Sequence, residues 1–305
     1  MSNTTGAQGT AFGYKALFAN TDGHENTAVG NISLSANTTG YNNTATGASA
    51  LAANTTGVDN TATGTGSLAL NTIGSFGTAA GFKALYSNTT GNGNTAFGYN
   101  SLLFNSTGEH NSAFGTQTLM NITTGNNNTA LGYNASLSSP GSSNATAIGY
   151  NAVVTVGNKV RIGNSGVSTI EGQVDWTFPS DARFKFNVRE DAVPGLVFIN
   201  KLRPVTYQFD TRLFDLHVMK NLPDSIQQER IMVMDYSQST ARVQTGFLAQ
   251  EVEQVCTELG YEFSGLHVPE SEVDNYGLAY GSFVPLLVKG MQEQQAMIRD
   301  LKAEI

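Results

Sequence analysis

Ser180 and Lys185 are the residues of this 305-residue chain whose types and spacing could do covalent chemistry. A serine hydroxyl attacks a carbonyl only when a neighbour takes its proton. A lysine can take that proton only as the neutral amine, which is favoured where burial or nearby cations disfavour its charge. The pair lies in Ser180-Asp181-Ala182-Arg183-Phe184-Lys185, directly after Pro179. A plainer reading competes: serine is a preferred helix N-cap, and lysine is commonly a solvated cation. On the pair alone the plainer reading wins, so the decision passes to the surrounding elements.

Other chemistries fail on spacing. His24, His110, His217 and His267 are scattered, and the single Cys256 excludes an intrachain disulfide framework and cysteine-cluster metal sites. No metal and no cofactor is therefore expected. Cys256, on an apolar helical stretch, reads as packed rather than reactive. Gly64-Thr65-Gly66 precedes no helix, so it is no phosphate loop. The net charge of −8 gathers into no basic patch, which argues against nucleic acid and reads as solubility. No apolar run has the length of a membrane span.

Up to about residue 150 the chain is repetitive and carries only Lys15, Lys83, Asp22, Glu25, Asp59 and Glu109 as charges. Glycine recurs every 17 residues from Gly13 to Gly149, with alanine two residues earlier each time. A leucine row runs from Leu17 to Leu119, broken at Ser136 and closed by Val153, and a second glycine row runs from Gly6 to Gly125. Two glycines and several Asn and Thr per repeat exclude a helical repeat. Disorder gives no reason for strict register, whereas stacked coils do. Both glycine rows then mark turns with φ > 0, and the T-A-x-G and A-L-x-x-N segments are short strands. Coils spaced at about 4.8 Å would build a rod on the order of 40 Å long. Each coil has only a Leu, an Ala and a variable apolar residue (Phe12, Val29, Phe97, Phe114, Leu131, Ile148) to bury, so chain association is expected to complete the core.

T-A-x-G-x-x-(A/S)-L resembles the repeat of trimeric autotransporter adhesin heads, which implies parallel β-rolls bundled in threes. The period of 17 exceeds that family's commonest repeat, which leaves coil handedness open. Asn-x-Thr triplets read as turn chemistry rather than glycosylation sites. A Thr-x-Thr face persists only near Thr44–Thr46 and Thr61–Thr63, too little for an ice-binding array. Ser2-Asn3-Thr4-Thr5-Gly6 matches Ser87–Gly91, so the repeat is entered midway and further repeat is expected upstream.

Residues 154–179 read as a β neck with strands at 154–156, 159–163 and 174–178, where Trp176 is expected as a core or interface anchor. Beyond it, Val205-Thr206-Tyr207 reads as a strand, residues near Ser225–Met232 as a helix, and Gly246–Glu253 as a strand turning into a helix that ends near Gly260. From Tyr280 a last helix carries Val284, Leu287, Met291, Ile298, Leu301 and Ile305 at alternating steps of three and four, with Gln294 in the remaining slot. That is a coiled-coil seam, and a polar core residue helps fix strand number. The chain stops inside this helix, so the coil is expected to continue.

S-D-A-R-F-K-F-N at 180–187, L-R-P-V-T-Y at 202–207, G-F-L-A-Q-E-V at 246–252 and the Tyr280-to-helix ending resemble the intramolecular chaperone auto-processing domain of phage tail spikes and endosialidases. The resemblance implies a domain that trimerises, helps the upstream fibre fold, and cleaves the chain before the serine. It makes Ser180 the nucleophile, Lys185 its base and Pro179–Ser180 the scissile bond, with Asp181, Arg183, Asn187, Gln250 and Glu251 as supporting motif residues. Arg183 either lowers the Lys185 pKa or pairs with Asp181 or Glu251; carboxylate pairing is the commoner arginine role.

The expected architecture is mainly β with a C-terminal α+β domain: a homotrimeric parallel β-roll over 1–153, the neck over 154–179, and the chaperone domain over 180–305 with its coiled coil over 280–305. The expected function is a trimeric virion tail fibre or bacterial surface adhesin, extracellular, with single-turnover serine autoproteolysis and no external substrate. A host-cell surface or glycan receptor is the partner class such a fibre implies. The alternative is an adhesive fibre whose last domain trimerises without cutting.

Overall fold

The computed structural model describes residues 6–173 and 176–304. They form two compact units: residues up to Val167 together with Thr211–Asp235, and Ser168–Asp210 together with Tyr236 onward.

In the first unit the T-A-x triplets are the strands. They are β1 (Thr10–Phe12), β2 (Thr27–Val29), β3 (Thr44–Thr46), β4 (Thr61–Thr63), β5 (Thr78–Ala80), β6 (Thr95–Phe97), β7 (Ser112–Phe114) and β8 (Thr129–Leu131). Next come β9 (Ser136–Leu137), β10 (Thr146–Ile148), β11 (Val153–Val154) and β12 (Val160–Ile162). All but β9 and β11 stack into one ten-stranded parallel sheet. The register is one repeat per strand, so Ala28 lies against Ala45 and Ala45 against Ala62. The middle alanine points inward and is buried from β2 onward, while its two neighbours point outward, as a period-two strand requires.

Three features depart from the sequence reading. The A-L-x-x-N segments are turns, with Leu17 to Leu119 held at φ between 47° and 52°. Such a backbone costs leucine about 1–2 kcal/mol. Burial of the side chain, worth about 1.5–3 kcal/mol, offsets it. A ladder bond adds to this, since Leu34 N–H donates to Ala50 O at 3.0 Å. Only where the leucine row breaks does this face become strand: β9 and β11 pair in parallel.

Second, the two glycine rows have different reasons. Gly47 has φ 135°, a region that disfavours side chains. Gly57 needs no positive φ; a Cβ there would meet Gly74 O at 2.3 Å, so the row exists for close coil-to-coil approach. Third, the variable apolar residue faces out, as at exposed Phe12, Phe97, Phe114 and Leu131. The interior is completed instead by asparagine ladders. Asn54 Nδ2 donates to Asn37 Oδ1 at 2.8 Å, and Asn71 Nδ2 to Asn54 Oδ1 at 2.7 Å. Asn37 and Asn54 head Asn-x-Thr triplets yet are fully buried.

The stack continues past residue 153, because β12 pairs with β10. Of the strand expected over 174–178, Val174 and Asp175 lie outside the described residues, and Trp176–Phe178 carry no strand. Trp176 is 81% exposed and so anchors no core of this chain.

Downstream come α1 (Leu196–Ile199), β13 (Val205–Gln208), α2 (Thr211–Met219), α3 (Asp224–Met232), α4 (Ser237–Ala241) and β14 (Val243–Gly246). They are followed by α5 (Ala249–Leu259), β15 (Leu266–His267), β16 (Gly277–Leu278) and α6 (Val284–Ala303). Helices α2 and α3 belong to the first unit. Val218, Met219, Leu222 and Ile226 share a buried cluster with Val153.

The second unit packs around Phe198, Val252, Val255, Cys256, Phe263, Phe283 and Leu286. Val252, Val255, Cys256 and Leu259 recur at helical spacing on α5, which ends at Gly260 in the left-handed region, φ 58°. Burial pushes the Cys256 thiol up, which makes it a poor nucleophile. Helix α6 buries Leu286 and Gly290, and its Glu293 accepts the Leu196 N–H at the start of α1, 2.8 Å. Its seam residues Val284, Leu287, Met291, Ile298 and Leu301 stay exposed in the single chain; Ile305 lies outside the described residues.

Candidate functional site

The 3-10 turn Ala182–Phe184 closes the five-residue spacing between Ser180 and Lys185. Phe184 N–H donates to Asp181 O at 3.1 Å, and Lys185 N–H to Ala182 O at 3.2 Å. The chain thereby doubles back, and Lys185 Nζ sits 2.7 Å from Ser180 Oγ. Ser180 does not cap this turn. Asp181 does, its Oδ1 accepting the Arg183 N–H at 2.9 Å. With the cap assigned to Asp181, the serine hydroxyl is left to the lysine.

Arg183 pairs with Asp181 through Nε at 2.9 Å and Nη2 at 2.5 Å. Arg183 holds the Asp181 carboxyl below the usual carboxylate range, through its guanidinium first and its backbone N–H second. Glu251 is engaged elsewhere, by both guanidinium arms of Arg203. Asn187 sits at φ 53°, a conformation asparagine tolerates. Gln250 is exposed in the first turn of α5. Six of the motif residues thus fall into three pairs, Ser180–Lys185, Asp181–Arg183 and Arg203–Glu251, and Asn187 and Gln250 join none of them.

The other motif stretches form a frame. Val205 lies opposite Gly246 and Tyr207 opposite Gln244 in the antiparallel β13–β14 pair. Tyr280 Oη accepts the Phe247 N–H at 3.1 Å and occupies the space a side chain at Gly246 would need, 2.1 Å from its Cβ position. The sequence reading valued Gly246 and Tyr280 as parts of a pattern; their contact is what the spacing did not reveal. A cavity of about 10 Å³ beside the frame, lined by Leu202, Arg203, Phe247, Glu251 and Val252, has room for a water at most.

The segment around Ser180 also exposes large apolar side chains beside its charged pairs. Trp176, Phe178, Phe184, Phe186 and Val188 are all exposed, with Phe178 at 87%. Five large apolar side chains thus lie exposed within thirteen residues of the single chain.

Residues 180–261 match a peptidase family model described as chaperone of endosialidase. The matched segment opens on Ser180 and includes β13, β14 and α5. It follows a parallel β-solenoid of 17-residue repeats. No curated protein matches the chain. Among the described residues no helix is long and apolar enough to cross a membrane.

Proposed function

We propose that this chain is the protomer of a trimeric fibre, of a phage tail or a bacterial surface, whose C-terminal domain assembles the trimer and then cuts the Pro179–Ser180 bond. The observation that carries the reading is the 2.7 Å approach of Lys185 Nζ to Ser180 Oγ, at the first residue of the chaperone-type segment.

The step balances within the chain. Lys185, as the neutral amine, takes the Ser180 hydroxyl proton while Oγ attacks the Pro179 carbonyl carbon. The tetrahedral intermediate collapses by breaking the C–N bond, with the proton returned to the Ser180 nitrogen. The product is an ester between the Pro179 acyl group and Ser180 Oγ. Water then hydrolyses the ester to a Pro179 carboxylate and a free Ser180 hydroxyl. Fixed donors must stabilise the oxyanion.

In one chain Lys185 is exposed. Desolvation favours the neutral amine. The apolar skirt from Trp176 to Val188 would provide it when three chains meet, so cutting waits for assembly. The bare seam of α6 supports the same stoichiometry. A fibre of this kind works at a virion or cell surface, against a host-surface or glycan receptor.

The test is a denaturing gel of wild type beside Ser180→Ala and Leu287→Asp/Met291→Asp, with light scattering of each. Two wild-type fragments, an intact trimeric Ser180→Ala chain and an intact monomeric seam variant are expected. An intact wild type that is nevertheless trimeric leaves assembly standing and removes the peptidase.

A further inference from the structure

The geometry points to a notch in the solenoid surface, walled by Lys83 and Tyr86, as the site that takes a carboxylated sugar ring of a receptor glycan. This deepens the receptor reading above and rests on it for its setting; the notch itself is read from side chains.

The residue two after each coil glycine turns through positive φ. Lys15, Ile32, Ser49, Lys83 and Asn100 do so at 53° to 61° with their side chains in place. Gly66 stands in the same row at φ 71°, so the backbone alone does not call for glycine there. What the missing side chain leaves is space. With Ser49, Ala52 and Ala69 also small, an open cavity of about 440 Å³ forms, bounded on the next coil by the larger Lys83 and Tyr86. That volume falls within the range of small-ligand sites.

The wall is braced. Lys83 Nζ lies 5.3 Å from the centres of both the Phe82 and the Tyr86 rings, and Phe82 stacks on Tyr99 at 5.5 Å. Among the described residues no carboxylate pairs with Lys83. Lys15, four coils earlier in the same row, lies over Tyr14 and Phe18 in the same way. Both positive charges of the first 150 residues are thus held between rings.

These groups define the occupant. The Ala52 and Ala69 methyls and the Tyr86 ring suit an apolar face, Ser49 and Thr65 offer hydroxyls, and the Lys83 ammonium suits an anion. A pyranose with a carboxylate has all three. Its C–H face carries slight positive charge and meets the negative face of an aromatic ring. Its hydroxyls exchange hydrogen bonds with those of the notch, and its carboxylate pairs with the ammonium. A neutral sugar leaves the cation unused, and a purely apolar ligand leaves the hydroxyls unpaired.

The test presents an array of carboxylated oligosaccharides, with neutral ones of the same backbone, to the full Ser180→Ala chain. Selective retention of carboxylated probes is expected, with saturation transfer by NMR reaching their ring C–H protons. Lys83→Met should lower affinity for these probes by on the order of tenfold, while Lys83→Arg keeps the charge and most of the binding. Gly66→Asn should abolish retention and leave the unfolding midpoint unchanged, because asparagine tolerates this backbone and its Cβ meets Lys83 Cγ at an ordinary 3.4 Å. Failure to retain carboxylated probes above neutral ones overturns the inference, as does equal retention by Gly66→Asn. A fall in light-scattering mass for Gly66→Asn would assign the notch to contact between copies and overturn it as well. Binding by a chain that never cuts itself keeps this inference while the peptidase falls; no binding by a trimer that cuts removes this inference alone.

Discussion

Arginine at position 185 would keep the positive charge and a donor to Ser180, but not the ability to become a neutral base. Lys185→Arg, like Lys185→Met, is therefore expected to trimerise and stay uncut on a denaturing gel; a cut arginine variant would remove lysine from the base role. Asp181 caps the turn that brings Lys185 back to Ser180. Its folded pKa is depressed, so its contribution to the turn is complete above the usual carboxylate range and is lost as pH falls through the lowered value. The Asp181 carboxyl is expected to titrate below 3.8 by NMR, and Arg183→Ala should return it to the ordinary range. The pair is exposed, so its effect belongs to the order of the turn and not to global stability. In the solenoid, Gly57→Ala must displace the Gly74 carbonyl, 2.3 Å from the new methyl. Overpacking of this kind costs about 1–3 kcal/mol. At Gly141 the nearest atom is Thr124 Oγ1 at 3.5 Å, an ordinary contact. A clear fall in unfolding midpoint is expected for Gly57→Ala and a small change for Gly141→Ala.

At the scale of elements, α6 has two faces with different owners. Leu286, Gly290 and Glu293 belong to the chain's own core, while Leu287 and Met291 have no cover within it. Asp at both seam positions should leave the fold of one chain intact by circular dichroism and reduce the light-scattering mass from three chains to one. An unchanged mass would assign association to another surface. The alternating three-and-four spacing of that seam was legible in the sequence, as were the T-A-x strands, α3 and the strand-to-helix passage into α5. The leucine turns were not. A small residue followed by a buried apolar one fits a strand as well as a turn, and only the coil-to-coil bonds decide for the left-handed backbone. The docking of α2–α3 was equally hidden, because Arg230 and Asn134 meet across 96 residues and no local spacing records it. At the site, the Ser180–Lys185 pair could be named from the sequence, but the cap could not. Both Ser180 and Asp181 are good N-caps, and the structure gives the role to Asp181.

Across the whole molecule, two kinds of order meet around Ser180. Upstream, each coil supports the next through paired strands and asparagine ladders, so a first correctly registered coil has value for all the others. Downstream lie a segment of chaperone type and, in part beyond it, an aromatic core and a helix with an apolar face exposed in the single chain. A helper that aligns three chains at one end would fix that first register. A cut just beyond it would make the assembly step irreversible. The most direct measurement is the intact mass of purified wild type under denaturing conditions. The account predicts two species, one ending at Pro179 and one beginning at Ser180, and a single full-length mass for Ser180→Ala. A single full-length mass for a trimeric wild type, or a cut at any other bond, would contradict it.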